Sequence, residues 1–293
     1  MIDPRIILAA FVLIFFSIGD MFAKKVLAKF NYATAAAAVS IVSAIPAIVA
    51  FVISPSFSTT PYSLELSIIA GFFYGVGFML LYKALTTEQT TNTMALSEFF
   101  KAILVLFAVF VVGETLANIQ SIGIVAIFIG SLLVITTKDL GINKKMGYAL
   151  AGFISWAVFW IILEYAIFNS HGYIVEEGVA SLASFVIAVI YILARKDLNQ
   201  FGQIKKLLIV KDGNSRFHIG HYTLLVGLGV GLASFIFAYL ILAHSLALGS
   251  AIIAMTPIVV AVASKKLYLD KLTPYQLAGL IIMVVGALAL ALG

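Results

Sequence analysis

Apolar residues fall into ten long runs along the chain, and polar or turn-forming residues separate the runs. The runs cover about residues 6–26, 33–53, 64–86, 92–112, 117–137, 147–168, 174–194, 221–247, 249–268 and 273–292. A helix of about 20 apolar residues crosses the bilayer core and satisfies its own backbone groups where no water is present. The pattern therefore predicts an all-α polytopic membrane protein with ten transmembrane helices.

One connection, at residues 195–220, is long, polar and basic. Apolar residues recur within it at helical spacing, as at Leu198, Phe201 and Ile204. An amphipathic helix lying on the membrane surface would produce this spacing. A solvated loop with incidental periodicity is the alternative.

The composition supports the membrane interpretation and excludes several kinds of chemistry. Hydrophobic residues make up 63% and charged residues 11%, with a mean hydropathy of +1.14, whereas about 25% of residues are charged in soluble proteins. The chain has no cysteine, which excludes disulfides, thiolate metal sites and cysteine nucleophiles. It also lacks a Walker A sequence, so direct use of ATP is not expected. We expect no cofactor and no metal site.

Basic residues are distributed unevenly between the two sets of connections. Those after odd-numbered runs contain Lys24, Lys25, Lys29, Lys138, Lys144, Lys145, Arg195, Lys196, Lys205, Lys206, Lys211, Arg216, Lys265, Lys266 and Lys271, whereas the opposite side holds only Arg5. The positive-inside rule makes the first set cytoplasmic. We therefore expect a multi-pass protein of the cytoplasmic membrane with both termini outside.

The chain contains an internal repeat. The segment ETLANIQSIGIVAIFIGSLLV, from Glu114, aligns without a gap with DKLTPYQLAGLIIMVVGALAL, from Asp270. The alignment pairs Gln120 with Gln276, Gly123 with Gly279, and Gly130 with Gly286. It also places the fifth predicted helix opposite the tenth, so that each repeat has five helices.

An odd number of helices per repeat inverts the second repeat relative to the membrane. We predict a first repeat at 1–138, a connecting loop at 139–146 and a second repeat at 147–293 that includes the basic loop 195–220. Inverted repeats are a transporter architecture, with the substrate site near the midplane where the halves meet.

Two segments carry a resemblance to a known family. VGETLANIQSIGIVAIFIGSLLV in the first half and TPIVVAVASKKLYLDKLTPYQLAGLIIMVVGALAL in the second resemble the repeat ends of the EamA family of the drug/metabolite transporter superfamily. The resemblance extends over almost the whole chain as two repeats. It implies the fold and a role in membrane transport, but it does not specify a substrate.

The sequence departs from the family pattern at two positions. The acidic residue that opens the signature is Glu114 in the first half but Asp270 in the second. The family tends to have a proline in the fourth helix of each repeat, which is present as Pro257 in the second half. Lys101 stands at the matching position of the first half.

Glu98 and Lys101 are two ionisable residues within a predicted membrane helix. Residues three apart share a helix face, so the two side chains can pair. A charge at that depth costs at least about 2.5–3.5 kcal/mol and commonly marks a pathway. The pair either fixes helix packing or lines a translocation pathway, where Glu98 would take up a proton or Lys101 would bind a substrate carboxylate.

Asp20 and Lys24 form a second cluster, four residues apart in the first predicted helix. Asp20 and Glu98 lie at similar depths from the cytoplasmic side, so we expect them to share one layer of the bundle. In that layer Lys24 or Lys101 would mediate between the carboxylates. Lys24 extending to the membrane interface is the alternative.

Aromatic residues also occupy corresponding parts of the two helices that start the repeats. Phe16 in the first, and Trp156 and Trp160 in the sixth, are candidates for the walls of a central cavity, with helix packing as the alternative. Glu164, near the far end of the sixth helix, is interpreted as a hydrated helix-end carboxylate.

These observations favour a secondary transporter that moves a small organic metabolite, such as an amino acid or a related or drug-like compound, by alternating access, coupled to protons or to exchange. A non-transporting receptor or scaffold is the alternative. An intramembrane enzyme is not expected, because Ser17 stands where the Gly-x-Gly-Asp element of aspartyl proteases would need its first glycine before Gly19-Asp20. The partners expected are the bilayer and a small molecule rather than nucleic acid. A monomer is compatible with both halves in one chain.

Overall fold

The fold is a bundle of helices. The computed structural model describes residues 4–53, 55, 59–86, 93, 101, 103–115, 117–135, 144–195, 218–243, 246–267 and 273–292. Within these residues the α-helices are α1 Pro4–Leu27, α2 Tyr32–Ser43, α3 Ile45–Ile53, α4 Pro61–Leu85, α5 Asn118–Ile135, α6 Lys144–Ser170, α7 Ile174–Ala194, α8 Ile219–Leu242, α9 Leu246–Ile253, α10 Thr256–Leu267 and α11 Pro274–Leu292. A further helical segment, Ile103–Val112, ends in a π-helical turn at Ala108–Val112.

Six helical segments among the described residues are long and apolar enough to cross a membrane. They are Pro4–Leu27, Tyr32–Ile53, Pro61–Leu85, Gly147–Ser170, Ile174–Ala194 and Ile219–Leu242. The remaining apolar helices are shorter, at Ile103–Val112, Asn118–Val134 and Pro274–Ala289. The prediction of a multi-pass, all-helical membrane protein is therefore confirmed.

Several predicted boundaries were wrong. The run 221–247 is not one helix, because α8 ends at Leu242 and α9 begins at Leu246. The second run, in contrast, is confirmed as one span, Tyr32–Ile53, within which α2 and α3 meet at Ala44, just before Pro46, which has no backbone N–H to donate. Helix α6 begins at Lys144, inside the predicted loop 139–146. The predicted surface helix at 195–220 falls almost wholly outside the described residues.

The outer surface of the bundle is apolar. Phe110 is 80% exposed, Val262 is 71% exposed and Ile122 is 66% exposed. Large apolar side chains at such exposure are unfavourable in water and suited to lipid. Burial is greatest between the helices, where α4 packs against α6 and α7, and α1 packs against α8.

Glycines allow the close approach of α5 and α11. A Cβ on Gly130 would lie 2.6 Å from the carbonyl oxygen of Gly279, and one on Gly286 would lie 2.6 Å from that of Gly123. The two helices are antiparallel at this crossing. Because Gly123 matches Gly279 in sequence and Gly130 matches Gly286, the contacts between the two signatures are reciprocal, as in a two-fold contact between like segments.

We expect Gly130→Ala to destabilise the folded protein by about 1–3 kcal/mol, because the added methyl group would meet the backbone of α11. Thermal unfolding in detergent would measure the change. Gly147→Ala is the matched control, since a Cβ on Gly147 would have no atom within 4 Å. Equal unfolding temperatures for the two variants would contradict the close crossing.

Candidate functional site

The helix in the second half that carries Pro257 is broken within the bundle. Helix α9 ends at Ile253, and α10 begins at Thr256 after a turn at Ala254-Met255. The turn tightens at this point, where the Ile258 N–H donates to the Met255 carbonyl oxygen at 2.9 Å. Pro257 has no N–H, so the Ile253 carbonyl loses the backbone donor that a continuous helix would supply.

Two side chains replace the missing backbone donor to the Ile253 carbonyl. The Lys101 ammonium donates to the Ile253 carbonyl oxygen at 2.8 Å, and the Thr256 hydroxyl donates to the same oxygen at 2.6 Å. Lys101 is only 5% exposed. The lysine at the Pro257-matched position of the first half thus binds the carbonyl that Pro257 frees in the second half.

Asp20 in α1 belongs to the same region. Its carboxylate interacts electrostatically with the Lys101 ammonium and with the hydroxyl of Tyr82 in α4. Asp20 and Lys101 therefore lie within electrostatic range of one another. Lys24, half-buried, is in the last turn of α1. Glu98, the partner predicted for Lys101, lies outside the described residues.

Both tryptophans of α6 lie in a buried aromatic cluster. Trp156 meets Phe78 edge to face, with ring centroids 5.1 Å apart, and Trp160 meets Phe237 in the same way at 4.6 Å. The ring of Tyr74 stacks on Phe159 at 4.2 Å. Phe16 is partly buried against the same core. These contacts show packing, and the cavity-lining role of Phe16, Trp156 and Trp160 stays a prediction.

Glu114 caps the broken helix at its other end. Its two carboxylate oxygens accept hydrogen bonds from the backbone N–H groups of Leu246 and Ala247, each at 2.9 Å. These N–H groups begin α9 and have no carbonyl partner within the helix. Gly113, with φ of 83°, makes the left-handed turn that leads from the π-helical segment to Glu114. The sequence identified Glu114 as part of a signature but did not indicate this contact.

The two matched glutamines have the same local role. The Gln120 side-chain oxygen accepts from the Ala117 N–H at 2.9 Å. That of Gln276 accepts from the Thr273 N–H at 2.8 Å, and the Gln276 N–H donates back to the Thr273 hydroxyl at 3.3 Å. Each glutamine therefore binds the chain entering its helix, in the manner of a capping box. Asp270 lies outside the described residues.

Three buried glutamates in the second half were not predicted as functional. Glu164 is 2% exposed, and Glu176 and Glu177 are fully buried. The interpretation of Glu164 as a hydrated carboxylate was therefore wrong. Within the described part of the chain, both oxygens of Glu164, both of Glu176 and one of Glu177 have no hydrogen-bond partner. A possible signal was the placement of Glu176 and Glu177 inside an apolar run rather than before it.

Comparison with known proteins supports the fold and the family. The model of the EamA-like transporter family matches residues 4–136. Twenty-eight chains from solved structures are similar to this one. One, described as "Crystal structure of protein", has a TM-score of 0.70 and 13% sequence identity, and the alignment covers 100% of this chain and 99% of that chain. No curated protein matches the sequence.

Residues 4–136 are therefore similar to the EamA-like transporter family. The resemblance predicted from the sequence is confirmed for this part of the chain. The structural likeness, at its low identity, shows that the full-length helical fold is shared with a solved protein. It does not identify a substrate.

We expect Lys101→Met to destabilise the protein by about 1–3 kcal/mol, because the Ile253 carbonyl loses a charged donor. Pro257→Ala supplies an N–H that can donate to that carbonyl, so Lys101→Met should cost less in the Pro257→Ala background. A double-mutant cycle in thermal or denaturant unfolding measures the coupling. Lys29→Met, at an exposed position, is the control. An identical cost of Lys101→Met in both backgrounds would contradict the shared carbonyl.

Proposed function

We propose that this protein is a secondary transporter that moves a small organic metabolite across the membrane by alternating access. The observation that carries the proposal is the broken helix α9–α10, with the buried Lys101 ammonium on its free carbonyl. Discontinuous membrane helices form substrate and ion sites in many transporters, because backbone groups freed at the break are available to a ligand. The family match of residues 4–136 favours the same class.

The proposal includes two inverted five-helix repeats, at 1–138 and 147–293. Two observations support it. The matched glycines of the signatures contact one another reciprocally between α5 and α11, and Lys101 contacts the helix break at Pro257, its matched position. Contacts between matched positions are expected where a two-fold axis relates the halves, and in an inverted repeat this axis lies in the membrane plane.

In this proposal Lys101 and Asp20 are the central residues of the pathway. A carboxylate on the substrate, as in an amino acid, would compete with the Ile253 carbonyl for the Lys101 ammonium, and a charged acceptor forms the stronger hydrogen bond. Glu98 and Lys24 are proposed near this pair, with Phe16, Trp156 and Trp160 toward the apolar part of the substrate. The sidedness proposed is that of the basic loops, with both termini outside.

The transport proposal is tested by counterflow in proteoliposomes loaded with a pool of radiolabelled amino acids and related metabolites. We expect saturable exchange by the wild type, at least about a tenfold loss in Lys101→Met, and partial retention in Lys101→Arg. Such a loss corresponds to about 1.4 kcal/mol or more of lost interaction. Lys29→Met should exchange like the wild type.

Exchange by Lys101→Met at the wild-type rate would remove Lys101 from the pathway. A wild type that exchanges none of the pooled compounds would favour a receptor or scaffold instead. Unfolding temperatures of each variant separate loss of transport from loss of folding.

The chain has no cysteine, so single introduced cysteines report the orientation cleanly. We expect a membrane-impermeant maleimide to label His171→Cys, between α6 and α7, in intact cells. Lys29→Cys, between α1 and α2, should react only after the membrane is opened. The reverse pattern would contradict the proposed sidedness, which rests on the positive-inside rule.

A further inference from the structure

A polar face runs along α7 within the bundle. Glu177, Ser181, Ser184 and Tyr191 follow one another at helical spacing. The Ser184 hydroxyl pairs with that of Ser40 in α2 at 2.8 Å. The Tyr191 hydroxyl pairs with that of Tyr32, also in α2, at 2.6 Å. Polar groups that recur on the inner face of a membrane helix are costly and therefore indicate a function.

Glu177 is the ionisable residue of this face. It is fully buried, and its Oε1 accepts from the Ser181 hydroxyl at 3.0 Å. In the described part of the chain its Oε2 has no hydrogen-bond partner. The Tyr74 hydroxyl from α4 is close enough to interact electrostatically with the carboxylate, and it is itself paired with Ser234 of α8 at 3.0 Å.

The helices packed against this part of α7 bring no described cation to the carboxylate. Helices α2 and α3 contain no charged residue. In α4, Glu65 is exposed, and Lys83 is in the last turn over the ring of Tyr148 at 4.0 Å. Helix α8 contributes Ser234 and Tyr239, the latter against Tyr173, with His221 in its first turn. Helix α6 contributes the buried carboxyl group of Glu164, and His171, in the turn between α6 and α7, is exposed.

The groups next to Glu177 on its own helix do not compensate its charge either. Glu176 is fully buried, and its oxygens have no partner among the described residues. An ionised Glu177 would therefore be a buried charge without a compensating cation, which is strongly unfavourable.

A proton fits this place better than a larger cation does. A metal ion needs several oxygen ligands, and no group of three or more His, Cys, Asp or Glu that could hold one is found in the described residues. An organic cation needs space, whereas Glu177 is enclosed. A proton needs neither space nor further ligands, and it turns the partnerless oxygen into a neutral hydroxyl group.

We propose that Glu177 is a proton-binding residue, whose carboxylate takes up a proton to become the neutral acid and releases it when the surrounding helices open. The use of this proton to drive transport rests on the proposed function. It places proton binding on α7 rather than at Glu98, which the sequence indicated as a proton acceptor. The Ser181 hydroxyl holds the carboxyl group in place, and Tyr74 with Ser234 forms the facing wall.

Proton binding is tested with the proton itself, by infrared spectroscopy of the full-length protein in lipid as the pH is raised. We expect the wild type to show a carboxylic-acid C=O band that is lost at high pH and is missing in Glu177→Gln. Ser181→Ala should shift the frequency of the band, because one hydrogen bond to the carboxyl is removed. Glu65→Gln, an exposed carboxylate of α4, should leave the band unchanged.

A wild-type spectrum without a pH-dependent acid band would overturn the proposal. So would a band that responds identically in the wild type and in Glu177→Gln. Ser181→Ala keeps the test decisive if Glu177→Gln does not fold, since an unshifted band in Ser181→Ala would assign the acid to another residue.

Coupling is measured separately, with a pH-sensitive dye inside proteoliposomes and compounds that the wild type exchanges. We expect Glu177→Gln to retain exchange. The proton movement that accompanies net uptake should be at least tenfold smaller in Glu177→Gln than in the wild type, with partial rescue in Glu177→Asp. Unchanged proton movement in Glu177→Gln would exclude its role in coupling. If the wild type exchanges nothing, the proposed function fails, while the infrared result still decides whether Glu177 binds a proton.

Discussion

The central constraint is that a backbone carbonyl inside a membrane protein needs a donor from the protein itself. Pro257 removes the donor that would serve the Ile253 carbonyl, and Lys101 and Thr256 replace it. A polar group left unpaired in such surroundings costs several kcal/mol. The break between α9 and α10 and the presence of a lysine in an apolar helix are therefore one feature rather than two.

Residues of the first half bind helix α9 at both ends. Glu114 accepts from the N–H groups that begin the helix, and Lys101 donates to the carbonyl of its last residue. Glu114 and Lys101 flank the helical segment Ile103–Val112. A displacement of that segment would therefore be transmitted to α9. This connection is a physical reason to place a conformational change between the halves at the broken helix.

Hydropathy predicted the helices well where burial in lipid alone determines the structure. The six long spans correspond to apolar runs in the sequence, whereas the close glycine crossing of α5 and α11 was not predicted. The start of α9 at Leu246 was missed, although the polar residues His244 and Ser245 interrupt the apolar run directly before it. The bond from Lys101 to the Ile253 carbonyl joins residues far apart in the chain. Spacing along one helix pointed only to Glu98 as its partner.

The buried glutamates were missed for a related reason. Acidic residues in the first turn of a helix interact favourably with its dipole and are commonly solvated, so the position of Glu176 and Glu177 in the helix favoured exposure, and their apolar neighbours in the sequence were the one sign of burial. Glu177 is enclosed only once α2, α3, α4, α6 and α8 pack against α7. Composition shows how many charges a membrane protein carries, whereas helix packing decides which of them are removed from water.

The most direct measurement of the central contact is a dipolar-coupling experiment by solid-state NMR. The protein would be labelled with ¹⁵N in lysine side chains and ¹³C in isoleucine carbonyls and placed in lipid bilayers. We expect a coupling between a lysine Nζ and an isoleucine carbonyl carbon that corresponds to the 2.8 Å contact of Lys101 with the Ile253 oxygen, and its loss in Lys101→Arg. A spectrum without that coupling, or with a coupling that survives in Lys101→Arg, would contradict the account.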